Sequence, residues 1–499
     1  EAVWSILRQL WDRGLLYQGY KVVPSCPRCG TPLSSHEVAL GYRETDDPSV
    51  IVRLRLTDQP GTSLLVWTTT PWTLPANVAC AVHPQVAYVK ARQGDEVLVV
   101  AKDLADAVLQ GSYEVLEEVR GESLVGLKYE PLFRFYPEGD RLWRVWAAEF
   151  VTTEEGTGVV HMAPAYGEED MELARRHGLP VFHPVGPDGR YTEEVPPWAG
   201  RFVKDADPEI VEDLRQRGLL YRAGTYRHTY PFCWRCDSPL LYYARTSWHV
   251  AVTRCKEQLL RANEQIRWVP EHIQRGRFGN WLENVVDWAL SRERYWGTPL
   301  PIWVCEACGL QHCVGSLAEL REMAAEPLPQ PLDLHRPYVD EVRLRCPRCG
   351  GTLRRVPDLI DVWFDSGAMP VAQWHYPFEN REWFERSFPA DYICEGIDQT
   401  RGWFYSLHAI SVLLFDRPAY RNCVCLELVL DEHGEKMSKS RGNVLDPWSL
   451  IQRFGADALR WFFFSVSPPG MPKRLGPAAV EEVVRRFFLA LWNTYVFFT

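Results

Sequence analysis

The apolar positions open with Trp4, Leu7, Leu10 and Trp11, a three-and-four spacing that puts them on one face of a helix. Gly14 ends that helix, and the same pattern returns at Val211 and Leu214 before Gly218. The segments after the two glycines are also alike. Arg13-Gly-Leu-Leu-Tyr leads to Cys26-Pro-Arg-Cys29, and Arg217-Gly-Leu-Leu-Tyr leads to Cys233-Trp-Arg-Cys236, each pair succeeded by Pro-Leu. Two halves of one module therefore flank an insert at residues 46–205. Inside it the period falls to two: runs such as 50–56 and 96–100 alternate between Gly and Pro turns, which predicts a β-rich domain. Further on, strand-like runs at 392–394 and 423–430 alternate with a helical run at 403–415, the signature of an α/β core. Beyond about 475, Val480, Val483, Val484, Phe487 and Phe488 return to helical spacing, as at the start of an all-α domain.

Composition narrows the class. A chain of 499 residues, 46% hydrophobic and 24% charged, is a multi-domain globular protein rather than a disordered or fibrous one. With 55 basic against 65 acidic residues the net charge is −10, so a nucleic-acid partner has to be argued from motifs. No apolar run reaches the roughly 18 residues a membrane span needs, and neither a signal peptide nor an anchor is visible. No membrane partner is expected. Eight of the 14 cysteines fall into four Cys-x-x-Cys pairs, which in a large chain favours metal in a reducing, cytoplasmic setting over disulfides.

Thiolates two residues apart reach one tetrahedral zinc from a tight turn, and a second such turn completes the ligand set. Cys305, Cys308, Cys346 and Cys349 form a ribbon-like set; Cys26, Cys29, Cys233 and Cys236 form another across the insert. Both are read as structural, since four cysteines leave no open position for chemistry. A redox dithiol is the rival reading, but it belongs at a helix start in a thioredoxin-like unit, of which there is no sign.

Lys436-Met-Ser-Lys439-Ser440, after a turn at 431–434, sets two ammonium groups three residues apart on a small loop. Such a pair suits a polyphosphate, because point charges follow negative charge onto a leaving pyrophosphate. An arbitrary Lys-x-x-Lys is a solvated loop; these five residues resemble the KMSKS signature of class I aminoacyl-tRNA synthetases. Further stretches resemble the isoleucyl-tRNA synthetase family within that class, almost end to end. They are Trp67-Thr68-Thr69-Thr70-Pro71-Trp72 through Asn77, Gly156-Thr-Gly-Val-Val-His161, Asn280-Trp-Leu-Glu-Asn284, Ser291-Arg-Glu-Arg-Tyr-Trp296, Asp361-Val-Trp363-Phe-Asp-Ser-Gly367 and Glu395-Gly-Ile-Asp398-Gln399-Thr-Arg-Gly-Trp403. The valyl and leucyl siblings carry Arg after the Thr pair, where this chain has Thr70-Pro71-Trp72.

The resemblance implies a Rossmann-type α/β catalytic core interrupted by a β-rich editing domain, with zinc-binding modules and the start of an all-α domain. The division it suggests is 1–45, catalytic domain with half of a zinc module; 46–205, editing insert; and 206–301, catalytic domain with the other half. A zinc ribbon at 302–357, the second Rossmann half with the lysine loop at 358–445, a stem at 446–475 and a helical anticodon-binding domain from 476 to 499 complete it. The implied chemistry is ATP-dependent formation of isoleucyl-adenylate, with Mg²⁺ on the ATP, then esterification of tRNA(Ile). Lys436 and Lys439 would stabilise the pyrophosphate side of the transition state. Glu395 would hold the amino acid's ammonium, Asp398 and Gln399 the adenosine side, and the flat indoles of Trp363 and Trp403 would wall the isoleucine pocket.

A pocket that admits isoleucine also admits valine, because one methylene is worth only about 1–3 kcal/mol, a range for which isoleucine against valine is itself the standard case. A second sieve is therefore needed. In the insert, Thr68, Thr69 and Thr70 would position water and ester, Asp170 would bind the free ammonium, and His161 would orient ribose or water. No Ser-His-Asp set is evident, so water is the expected nucleophile. A valyl-type enzyme and a free-standing editing hydrolase are the alternatives, together with a zinc-ribbon nucleic-acid-binding module. The family's His-x-Gly-His signature is missing, as no two of the 13 histidines lie three residues apart. Both ends look cut, so the chain alone is expected to activate isoleucine poorly and to bind tRNA weakly.

Overall fold

The computed structural model describes residues 1–438 and 442–499. They form two compact units, Glu1–Tyr17 with Val250–Trp288 and Trp296–Thr499, and Gln18–His249 with Ala289–Tyr295.

The second unit is built on a nine-stranded sheet. Its path runs Glu114–Arg120, Ala87–Gln93, Glu96–Ala101, Thr62–Thr68, Val159–Met162, Ala79–Val82, Val145–Ala147. Thr62–Thr68 lies parallel to both Glu96–Ala101 and Val159–Met162. Strands paired this way are covered on both faces, which is why Leu64, Leu65 and Val66 are all buried rather than alternating. Gly158, at φ +74°, lies so close to Ala101 that a Cβ would come within 2.3 Å of the alanine methyl, so only glycine admits the strand at that point.

The long strand Tyr42–Arg55 pairs with Thr62–Thr68 and also with Leu220–Pro231, in a ladder from Leu220↔Val52 to Pro231↔Tyr42. Backbone bonding is thus continuous from the β-rich insert towards the turns of Cys26-x-x-Cys29 and Cys233-x-x-Cys236. The expected boundaries at 45/46 and 205/206 fall inside Tyr42–Arg55 and the helix Val203–Gln216. Composition changes there, but the ladder and the helix do not stop. At the far end the buried Arg292 guanidinium bonds the buried Glu37 carboxylate, and Ser34 accepts from the same guanidinium at 3.1 Å. This contact ties the segment Ala289–Tyr295 into the unit.

In the first unit three parallel strands stand in the order Arg267–Val269, Asn422–Leu426, Ile393–Gly396. The helix Trp403–Phe415 is buried at every position from Phe404 to Leu414. A helix apolar all round belongs inside an α/β core, where no face meets water. A four-stranded ribbon, Gln311–Cys313, Ile302–Cys305, Thr352–Arg355 and Leu344–Arg345, carries its own core around Trp303. Helices Pro447–Phe454, Ala456–Ser465, Pro477–Val483 and Leu489–Phe498 form the C-terminal part of the unit. Among the described residues no helix is long and apolar enough to cross a membrane.

Candidate functional site

Two parallel strands bring the threonine motif and His161 to one place. Val160 is the register partner of Trp67, so Thr68 and His161 come next along adjacent strands and both chains leave the sheet at the same end. Thr68 ends its strand, while Thr69 and Thr70 are half-buried in the turn beyond it. Pro71 then starts a 3₁₀ turn, Pro71–Ala76, that returns Thr73 and Asn77 beneath the turn.

The hydrogen bonds around His161 fix its tautomer. The Asn77 amide is oriented because Nδ2 donates to the Ala79 carbonyl at 2.8 Å and Oδ1 accepts from the Tyr129 hydroxyl at 2.8 Å. Its Nδ2, 3.1 Å from His161 Nδ1, must donate there, which leaves the proton on Nε2. Nε2–H then donates to Thr73 Oγ1 at 2.7 Å, and Thr73 donates onward to the Thr70 carbonyl at 2.9 Å. Thr70 Oγ1 lies 3.3 Å from Thr73 Oγ1 and 3.1 Å from Thr68 Oγ1. Burial lowers the imidazole to about 4, so the ring is neutral at physiological pH. Both ring nitrogens are engaged inside the protein. From Nε2 the hydrogen bonds run through Thr73 towards Thr70.

Asp170 sits in the first turn of the helix Glu168–His177, and its Oδ2 accepts from the Ala163 N–H at 2.9 Å. Ala163 directly follows the His161 strand, so this carboxylate lies at the same sheet end as the threonines. Burial raises it to about 6, against the opposing pull of the Ala163 N–H, and the neighbouring Glu169 charge adds to the rise. At pH 7 it is an anion held in a partly desolvated position, suited to an ammonium.

In the first unit, Glu395 lies in the strand Ile393–Gly396 opposite Cys425 and is exposed. Asp398 is exposed and Gln399 half-buried in the 3₁₀ turn at the end of that strand; Gln399 Nε2 donates to Asp398 at 3.0 Å while its Oε1 accepts from the Trp403 N–H at 2.9 Å. Trp403 starts the buried helix, and its indole Nε1 donates to the Ser366 carbonyl at 3.2 Å. Trp363, like Trp403 half-buried, stands in the short helix Val362–Gly367. A Cβ on Gly402 would lie 3.1 Å from the Trp363 ring and 2.8 Å from Gln399 Oε1, so the glycine lets indole and amide close on one spot. Glutamate, aspartate, glutamine and two indoles thus gather at one strand end, the usual place for a ligand in a parallel sheet.

Lys436 is exposed on a turn built by Asp431, whose Oδ1 accepts from His433 N and Glu435 N, and by Asn443, which donates to Asp431 at 2.8 Å and to the Lys436 carbonyl at 3.2 Å. The three contacts to Asp431 hold it below the usual carboxylate range, chiefly through Asn443. Lys439 lies outside the described residues.

Each cysteine set is gathered. The sulfurs of Cys26, Cys29, Cys233 and Cys236 lie within 4.8 Å of one another, and so do those of Cys305, Cys308, Cys346 and Cys349. Zinc–thiolate bonds of about 2.3 Å in a tetrahedron require sulfurs about 3.8 Å apart. The nearest pairs stand at 3.4 Å (Cys26 to Cys236) and 3.6 Å (Cys305 to Cys349, Cys308 to Cys346). Both donor sets fit a zinc ion.

Thr73 and Asn77, which bond the His161 ring, and Asp361, which accepts from the Trp363 N–H, are positions that residue type and spacing do not single out. All three lie inside the motifs that carry the family resemblance, but only the folded turns show that Thr73 and Asn77 face His161.

A class is defined by a parallel sheet with these groups at its strand ends and a separate β-rich unit. The family model for class I tRNA synthetases (I, L, M and V) matches residues 1–474, and the chain belongs to that family. Relatives that it matches include isoleucine–tRNA ligases. It is 55% identical over 504 residues to the one from Thermus thermophilus, 50% over 498 residues to the one from Clostridium tetani, and 49% over 539 residues to one from Dehalococcoides mccartyi. All of this chain is covered in each case, with 48, 48 and 53% of the relative. The chain spans about half the length of the curated relatives it matches.

Proposed function

We propose that the protein carrying this chain is an isoleucine–tRNA ligase with a hydrolytic proofreading site. The observation that carries the reading is identity of 55% to an isoleucine–tRNA ligase along the whole chain. In the first step the isoleucine carboxylate attacks the α-phosphorus of ATP, forming isoleucyl-adenylate and releasing pyrophosphate; in the second a terminal hydroxyl of tRNA(Ile) displaces AMP. Glu395 takes the amino acid's ammonium, Asp398 and Gln399 face the adenosine, and Trp363 and Trp403 bound the side chain. Lys436 and Lys439 draw charge onto the departing pyrophosphate, with Mg²⁺ accompanying ATP as substrate. The two cysteine sets hold zinc as structural staples, and the protein works in the cytoplasm.

In the insert, water attacks the ester of valyl-tRNA(Ile), giving valine and free tRNA. Asp170 holds the ester's ammonium, Thr68, Thr69 and Thr70 orient ester and water, and neutral His161 fixes Thr73 beneath them. The protein is tested by amino-acid-dependent ATP–pyrophosphate exchange and by deacylation of tRNA(Ile) charged with valine or isoleucine. Exchange with isoleucine, with valine weaker, and selective loss of valine are expected. Exchange that prefers valine, or equal deacylation of both esters, would overturn the reading.

A further inference from the structure

Trp363 stands in a helix of six residues, Val362–Gly367, to which the Trp403 indole is hydrogen-bonded, and a buried carboxylate caps the start of that helix. Asp361 is fully buried, its Oδ1 accepting from the Trp363 N–H at 3.2 Å and its Oδ2 from the Trp288 indole N–H at 2.9 Å. Trp288 is itself buried and lies against Phe364 and Tyr405, with centroids 5.6 and 5.9 Å away. The carboxylate therefore joins the first turn of the helix to a fixed wall of the core.

The second indole is reached through the same helix. The Ser366 carbonyl accepts from Trp403 Nε1, while the Ser366 hydroxyl donates back to the Trp363 carbonyl at 3.1 Å. Gly367 closes the contact on the other side, since a Cβ there would stand 2.7 Å from the Ser406 backbone. A shift of the helix start thus moves Trp363 directly and Trp403 through Ser366.

The structure assigns Asp361 the part of a positioning residue that sets the width of the amino-acid pocket. This rests on the reading of Trp363 and Trp403 as the walls of that pocket. Asp361 touches no substrate; it acts by capping the turn that carries one wall and holds the other.

The test uses the full-length protein and pyrophosphate exchange. Asp361→Asn keeps the shape but replaces one acceptor with an NH₂ group, which must face either the Trp288 or the Trp363 N–H. A lost cap of this kind predicts a KM for isoleucine raised about tenfold, an altered isoleucine-to-valine ratio and an unchanged KM for ATP. Adding Trp288→Phe removes the opposed donor, lets the amide oxygen cap Trp363 and should return the isoleucine KM towards its original value. A purely structural role would lower kcat through the folded fraction and leave KM and the ratio alone; that result, or no rescue by Trp288→Phe, overturns the assignment. If Asp361→Asn does not fold, the double variant and Trp288→Phe carry the test, both expected near the original KM; a tenfold rise in either refutes it. Trp403→Ala separates the two levels. If it leaves the isoleucine KM unchanged, the pocket reading fails; if it raises KM while Asp361→Asn does not, only the role of Asp361 fails.

Discussion

Asp170 offers a sharp test, because its proposed role and its cost to the fold have opposite signs. Replacing it with asparagine keeps the side chain's shape and its acceptor for the Ala163 N–H, but removes the charge. A titration midpoint moved from 3.8 to about 6 by burial costs at most about 3 kcal/mol of folding stability at neutral pH, at 1.36 kcal/mol per pH unit. The upper bound applies because part of the residue still meets solvent. The folded midpoint lies above the unfolded one, so the folded state holds more protons between pH 3.8 and 6. The favourable contribution is complete below 3.8 and is lost as pH rises through about 6. Asp170→Asn should therefore match the parent's stability near pH 4 and exceed it by up to about 3 kcal/mol at pH 7, measured by urea denaturation at both values. Valine release from valyl-tRNA(Ile) should do the reverse. In the parent its kcat/KM should fall tenfold per pH unit below about 6 as the carboxylate takes a proton. In the variant it should be low and lack that limb. An asparagine variant less stable at pH 7, or deacylation that is flat from pH 5 to 7 in the parent, would refute both the desolvated carboxylate and its ammonium partner.

Metal analysis of the full-length protein should find two zinc ions bound by this chain, one lost on Cys236→Ser and the other on Cys308→Ser; a variant that keeps both would exclude that cysteine as a ligand. Arg292→Ala leaves the Glu37 carboxylate, buried with no measurable exposure, without its guanidinium, so unfolding free energy should drop by about 3–5 kcal/mol. A change under about 1 kcal/mol in chemical denaturation would show that the pair is not held dry.

Periodicity is enough to find the amphipathic helix over Ala2–Asp12, while the strand Glu96–Ala101 and the buried helix Trp403–Phe415 are marked by short and long apolar runs, since each is buried without a polar face. It is not enough to end the insert. The strands Tyr42–Arg55 and Leu220–Pro231 are more than 160 residues apart in the chain, and their ladder is made of backbone groups that every residue carries. The cysteine spacing likewise identifies two ligand sets, and the fold brings each within 4.8 Å. Spacing alone cannot say that the insert closes the first of them.

The candidate site divides along the same line. Residue types and motif order point to Thr68, Thr69, Thr70, His161 and Asp170, and to Glu395, Asp398, Gln399 and the two tryptophans. Which nitrogen of His161 bears the proton depends on Asn77 and Thr73, and the carboxylate that anchors Trp363 is itself held by Trp288, 73 positions away from Asp361. The chemical inventory and the periodic elements are legible in the sequence because composition and backbone period are local properties. Protonation, orientation and the choice of which carboxylates are desolvated belong to the folded chain, since they depend on neighbours that only folding brings within hydrogen-bond distance.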